Sequence, residues 1–221
     1  MGNVKKMYEG YWQSKKGLEE FENYERNRLL FKLFKKGGKI LDLASGEGAV
    51  SEFLQNLGCD VTSFDISEEA LKKAKKRGLK TIQGDVEKKL PFVNESFDAV
   101  FWGDNAEHLF LPSKTLEEIK RILKKEGKLV ISCPNMGYWR YRISYLLTGM
   151  IPQTEWSNYD PWEWEHIRFF NKKVMTNFLE KGGFKMNSFQ GVSRRRIDKL
   201  FINFNPNFFG MIMVVCGFKP K

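Results

Sequence analysis

Residues Lys39-Ile40-Leu41-Asp42-Leu43-Ala44-Ser45-Gly46-Glu47-Gly48-Ala49-Val50 decide the fold class. A short apolar run is followed by a glycine-bearing turn and then by a helix start, which reads as a strand-turn-helix unit. Gly46 and Gly48 admit backbone conformations that a side chain obstructs, and they let the main chain approach a ligand. The helix opening there offers free N–H groups to an anionic group. This is the construction of a nucleotide-type site. Nineteen residues after Gly46, Asp65 closes the second apolar run, where a carboxylate can take both hydroxyls of a ribose.

Outward from this stretch, short β-rich runs alternate with amphipathic ones. Strands are expected at 39–43, 60–65, 80–83, 97–102 and 127–133, with helices at 48–57, 67–77 and 113–125. That alternation predicts an α/β fold, a doubly wound and mostly parallel sheet with helices on both faces. Right-handed crossovers gather the carboxyl ends of parallel strands on one rim, where open α/β sheets bind ligands. Asp42, Asp65, Asp85 and Gly103 fall at or just beyond such ends. Residues 1–36, with Leu18, Phe21, Leu29, Leu30, Leu33 and Phe34 at near-helical spacing, form a helical cap packed on the sheet edge. The alternation breaks at 134–170, which holds ten aromatics, four of the six tryptophans and three prolines, and so reads as an insertion. A helix at 171–182 and β-rich runs at 184–192 and 207–218 complete a single domain spanning 1–221.

Composition narrows the function. At 42% hydrophobic and 29% charged, the chain is globular rather than disordered or fibrous. The balance 37 − 27 = +10 makes nucleic acid a conceivable partner, but the basic patches 72–77, 120–125 and 194–199 lie apart and favour a solvated surface. The longest apolar stretch, Phe208 to Phe218, covers 11 residues, against the roughly 20 that a bilayer needs, so neither a transmembrane helix nor a membrane partner is expected. The first six residues lack the apolar core of a signal peptide, Lys6 stands where myristoylation needs Ser or Thr, and a cytoplasmic location is expected. Cys59, Cys133 and Cys216 read as buried thiols. Ser51 occupies the third position of G-x-G-x-x-G, which disfavours NAD(P). Neither G-x-x-x-x-G-K-[ST] nor G-x-S-x-G occurs, and two histidines with scattered cysteines give no expectation of a metal site.

With these residues in place, the chain resembles the class I S-adenosylmethionine-dependent methyltransferases over about residues 39–133. Ile40 to Gly48 is similar to the family's first motif, an acidic residue followed by a glycine-rich turn around the methionine part of the cofactor. Ala44 stands where the family most often has Gly. Asp65 matches the acidic residue that holds the ribose, with Ile66 along the adenine. Gly84-Asp85-Val86 resembles the motif whose Asp accepts from the adenine amine, and Phe97 to Trp102 and Leu129 to Cys133 fit strands four and five. The resemblance implies binding of S-adenosyl-L-methionine, with S-adenosyl-L-homocysteine as product, through Asp42, Ala44, Gly46, Gly48, Asp65, Ile66, Gly84, Asp85, Val86 and Gly103. It also implies a seven-stranded sheet with one antiparallel strand inserted between the fifth and sixth. The aromatic run Tyr8 to Trp12 is expected to fold over the cofactor and brings Tyr11 to it.

In this family the acceptor approaches the segment after strand four, here Gly103-Asp104-Asn105-Ala106-Glu107-His108-Leu109. The Asn-Pro-Pro-Tyr type of sequence found in amino-methyltransferases acting on adenine or glutamine is absent. His108 is the candidate general base, or else a packing residue under the loop. Asn105, Tyr138, Trp139 and His166 are candidates for the acceptor site. Between Gly137 and Glu165 two basic residues face four acidic ones, a local net of 2 − 4 = −2. Residues 137–166 therefore read either as a lid for a small apolar or amine-bearing acceptor or as a connection with its own small core. Pro134 to Arg140 and Leu146 to Pro152 also resemble the MetW proteins, which implies an alternative role as a cofactor-binding partner subunit with little transferase activity. An RNA methyltransferase is the third reading, carried by the charge.

Overall fold

The computed structural model describes residues 5, 9–10, 26, 29–34, 36–152 and 166–221. Seven strands, β1 (Lys39–Leu43), β2 (Asp60–Asp65), β3 (Lys80–Gln83), β4 (Phe97–Gly103), β5 (Leu123–Pro134), β6 (Lys185–Val192) and β7 (Ile212–Phe218), form one sheet. Its order is β3-β2-β1-β4-β5-β7-β6. The first five strands pair in parallel, and β7 lies antiparallel between β5 and β6. This is the mixed seven-stranded arrangement that the family resemblance implies.

Alternation along each strand feeds two cores. Leu41, Leu43, Val100, Trp102, Leu129 and Ile131 join one buried cluster, and their neighbours Ile40, Ala99, Phe101 and Val130 join another on the opposite face. Helix α1 (Ala49–Asn56) adds Val50 and Leu54 to the second cluster. Helices α3 (Pro112–Ile122) and α5 (Lys172–Lys181) bring Leu116, Ile119, Met175 and Leu179 to the first. The intervening α2 (Glu68–Lys76) starts at Ser67, whose hydroxyl accepts the Ala70 N–H at 3.2 Å and so satisfies one of the free donors of the first turn. Helix α4 (Trp139–Thr148) follows β5 and has no buried residue. Two short helices, α6 (Arg196–Phe201) and α7 (Pro206–Phe209), connect β6 to β7.

Three boundaries differ from the expectation. The helix foreseen to 125 stops at Ile122, because Leu123 turns extended and pairs with Phe97. A register shift follows, with Glu126 at φ 59°, so β5 starts four residues early. The run 207–218 is not wholly strand. Pro206 opens α7, capped by the Asn205 side chain at 3.1 Å from the Phe208 N–H, and β7 begins at Ile212. In the N-terminal cap, residues 29–33 are helical and Leu30 and Phe34 pack in the second cluster, while Leu18 and Phe21 lie outside the described residues.

Candidate functional site

The carboxyl ends of β1 and β2 are tied together through backbone and side chain. Asp65 Oδ2 accepts the Gly46 N–H and Oδ1 accepts the Ser67 N–H, both at 2.8 Å. One carboxylate thus fixes the glycine turn and the start of α2. Burial pushes its pKa up, against the pull of those N–H groups. Asp42, at the end of β1, accepts the Ser51 hydroxyl at 2.7 Å, and Ser51 accepts from Ser63 at the same distance. Ser51, the departure from the dinucleotide pattern, is thus the partner that holds Asp42 in the core. Burial raises the Asp42 pKa to about 6, against the Ser51 hydrogen bond and the Arg26 charge that lower it.

Backbone strain marks this rim. Ala44 has φ 59° and Asp104 has φ 47°, in the left-handed region that costs an L-residue about 1–2 kcal/mol. At Gly48, φ 81° and the Leu79 and Ala74 side chains, which would lie 2.4 and 3.2 Å from a Cβ there, favour glycine. Gly84 N–H donates to Asp65 O at 2.9 Å, and a Cβ there would stand 2.3 Å from the Phe64 ring, so the turn after β3 also needs glycine. Half-buried Asp85 accepts the Glu87 N–H at 2.9 Å, beside buried Val86. Gly103 ends β4, and Ile66 lies half-buried after Asp65.

Beyond β4 a 3-10 turn, Ala106–His108, presents Glu107 and His108 in succession. The end of the insertion is pinned to it, since the Ile167 and Arg168 N–H groups both donate to Glu107 O, at 2.9 and 3.0 Å. Arg168 Nη2 reaches Phe110 O at 2.7 Å. The pinning sets buried His166 against His108, with ring centroids 4.6 Å apart. Asn105 accepts the Trp102 indole N–H at 2.8 Å. Tyr138 and Trp139 turn elsewhere. Their O–H and N–H donate to the buried Asp198 at 2.6 and 2.9 Å, and Ser193 donates to the same carboxylate at 2.5 Å. Burial, with Asp198 adjoining, pushes the Tyr138 pKa to about 12. Near the insertion, Met136, Tyr141, Arg142, Tyr145, Ile151, Pro152 and Phe169 line a cleft of about 280 Å³.

The MetW profile, "Methionine biosynthesis protein MetW", matches residues 25–216. The chain belongs to the MetW family. A demethylmenaquinone methyltransferase of Paenarthrobacter aurescens is 38% identical over 123 residues, 53% of this chain and 48% of its own length. A mitochondrial ubiquinone biosynthesis O-methyltransferase of Schizosaccharomyces pombe is 28% identical over 196 residues, 82% of this chain and 69% of its own length. This MetW-family chain spans about half the length of the curated relatives it matches first. Among solved structures, the methyltransferase in a complex with the Haloferax volcanii Trm112 activator superposes with a TM-score of 0.72 at 19% identity, covering 97% of this chain and 98% of that one. A possible histamine N-methyltransferase of Thermotoga maritima gives 0.62 at 20% identity, over 90% and 96%. The fold is that of the S-adenosylmethionine-dependent methyltransferases.

Three residues escaped the sequence reading, Glu9 and Arg26 at this rim and Asp198 beneath the segment after β5. Glu9 accepts the Ser67 hydroxyl and the Glu68 N–H at 2.8 Å and the Glu69 N–H at 3.1 Å, completing the cap of α2. Tyr8, Tyr11 and Trp12 lie outside the described residues. Arg26 binds Asp104, whose other oxygen accepts the Ser132 hydroxyl at 3.2 Å. Asp198, the lone acid among Arg194, Arg195, Arg196 and Lys199, carried a signal that could have been read, because an acid inside a basic run often serves a buried donor. No helix among the described residues is long and apolar enough to cross a membrane.

Proposed function

We propose that the chain is an S-adenosylmethionine-dependent methyltransferase acting on oxygen or nitrogen of a small-molecule acceptor, within one domain whose residues 137–166, of which 153–165 lie outside the described residues, close over the acceptor. The observation that carries the reading is the carboxylate of Asp65, fixed by Gly46 and Ser67 at the rim where β1 and β2 end. Asp65 accepts these two N–H groups and that of Ile66, and a carboxylate offers about four acceptor sites, which leaves one for a ribose hydroxyl. The buried Ser45 hydroxyl in the glycine turn has no protein partner among the described residues, which suits a polar ligand there. Asp42, Ala44, Gly46 and Gly48 would hold the methionine part, Ile66, Gly84, Asp85 and Val86 the adenine, and Gly103 the approach to the methyl group. Tyr11 belongs to the same proposal.

When bound, the cofactor supplies a methyl group on a sulfonium. The chain's own residues then hold the nucleophile in line and exclude water. His108, on the turn after β4, would take the acceptor proton. The aromatic cleft and the quinone-pathway names of the relatives support a hydroxylated aromatic ring as the acceptor. Calorimetry tests the cofactor. We expect binding of S-adenosylmethionine and S-adenosylhomocysteine, weaker or no binding of NAD, and a tenfold to hundredfold loss on Asp65→Ala, in line with about 1–3 kcal/mol for a buried polar contact. Tighter binding of NAD would overturn the assignment.

The MetW match over 25–216 favours one second reading, a cofactor-binding partner subunit with little transferase activity. Labelled S-adenosylmethionine offered with metabolite extracts and total RNA separates the readings. Label in small molecules supports the transferase, label in RNA supports the disfavoured nucleic-acid acceptor, and tight cofactor binding with no label supports the partner subunit.

A further inference from the structure

Two histidines 58 residues apart and a neighbouring acid gave no metal signature in the sequence. The fold changes that. The 3-10 turn sets Glu107 beside His108, and the two N–H bonds from 167 and 168 to Glu107 O bring His166 to the same place. One potential ligand atom from each of Glu107, His108 and His166 lies within 4.8 Å of the other two. Zinc holds nitrogen and oxygen ligands at about 2.0–2.2 Å in a tetrahedron, so ligand atoms on one ion stand about 3.4 Å apart. Side-chain rotations of roughly an ångström would close the set.

The chemistry of the donors agrees. Glu107 is 1% exposed and His166 4%, so water would screen the attraction between this carboxylate and a bound cation only weakly. Two imidazoles and one carboxylate on neighbouring backbone are the donors that select divalent transition ions and leave coordination positions open. The backbone pins described above provide the rigid support such a site needs.

We propose that Glu107, His108 and His166 bind one divalent transition-metal ion at the acceptor side of the rim. The metal site stands on these side chains alone, whereas its use in catalysis rests on the transferase reading. In that use His108 serves as a ligand in place of acting as the base: an acceptor hydroxyl coordinates the ion, loses its proton to solvent as it docks because the cation lowers its pKa, and the resulting oxygen attacks the methyl group while the sulfonium becomes a neutral thioether.

The test is retention of zinc, and separately of manganese, by the full chain after loading and gel filtration, read by elemental analysis and by competition with a chelating indicator. We expect one ion per chain of at least one of the two metals. The affinity should fall at least tenfold in Glu107→Gln, in His166→Ala and in His108→Ala, the last a half-buried position on a turn that keeps the fold measurable. Cobalt loading should give the visible absorption of nitrogen ligation in the wild type and lose it in the variants. No retained ion in the wild type, or equal retention in folded variants, overturns the proposal. Binding of S-adenosylhomocysteine, measured on the same samples, is expected to be unchanged. Metal retained without that binding would sink the transferase reading alone, and binding without metal would sink this one alone.

Discussion

The rim at the ends of β1 and β2 and the excursion after β5 are both rich in buried polar contacts, but they are tied at different ranges along the chain. At the rim the ties within the strand-turn-helix unit are near in sequence, 9 residues for Ser51 and Asp42 and 19 for Gly46 and Asp65, and Glu9 and Arg26 add contacts to it from 58 and 78 residues away. In the excursion the partners are far apart, 60 residues for Tyr138 and Asp198, 75 for Asn135 and Gly210 and 58 for Arg168 and Phe110. The first region is built by a strand-turn-helix unit that local pattern nearly fixes, the second by elements that meet only after the sheet has formed. The rim is accordingly where a general cofactor function would sit, and the excursion is where a specific acceptor would be chosen.

Breaking the long-range network should have the larger effect on stability. Asp198→Ala strips the Tyr138 hydroxyl, the Trp139 indole and the Ser193 hydroxyl of their common acceptor, and each buried donor left alone costs about 1–3 kcal/mol. With partial rescue by solvent, a loss of about 4 kcal/mol is expected in urea unfolding, with affinity for S-adenosylhomocysteine close to wild type. A fall in that affinity as large as the fall in stability would erase the distinction between the two regions.

The next prediction probes the rim through pH. Asp42 has a folded pKa of about 6 against the 3.8 of the free side chain, chiefly because burial disfavours its charge. The folded state therefore binds this proton more tightly, so the contribution of Asp42 is fully present below about pH 4 and is lost as pH rises through about 6. At 1.36 kcal/mol per pKa unit the loss amounts to about 3 kcal/mol. Comparing wild type with Asp42→Asn in unfolding experiments from pH 3.5 to 7.5 isolates this group from the others. The stability of the wild type relative to the variant should drop by about that amount across the window, and a flat difference would show that Asp42 titrates at its ordinary value.

The smallest effect concerns the turn itself. Ala44 at φ 59° bears the steric cost of the left-handed region, whereas glycine would trade it for the entropy of a freer unfolded chain. Ala44→Gly should stabilise the protein by less than about 1 kcal/mol in thermal unfolding and leave affinity for S-adenosylmethionine within a factor of about two. A large gain in affinity would mean that the alanine strains the cofactor turn rather than fitting it.

The sequence by itself determined the order of strands β1 to β5, the parallel rim and the positions of Asp42, Gly46, Asp65 and Asp85, because apolar alternation, glycine turns and helix starts act over a few residues. It also carried Ser51, although only as a departure from another pattern, since nothing local says that its hydroxyl is the partner of Asp42. Tertiary structure alone decided the rest. That Glu9 caps α2, that Arg26 meets Asp104, that Tyr138 and Trp139 turn to Asp198, and that His166 stands against His108 all depend on where crossovers and returning chain are set down on the finished sheet. A single sequence records such long-range partners only as isolated polar residues, because the free energy that joins them comes from burial around them and not from their neighbours in the chain.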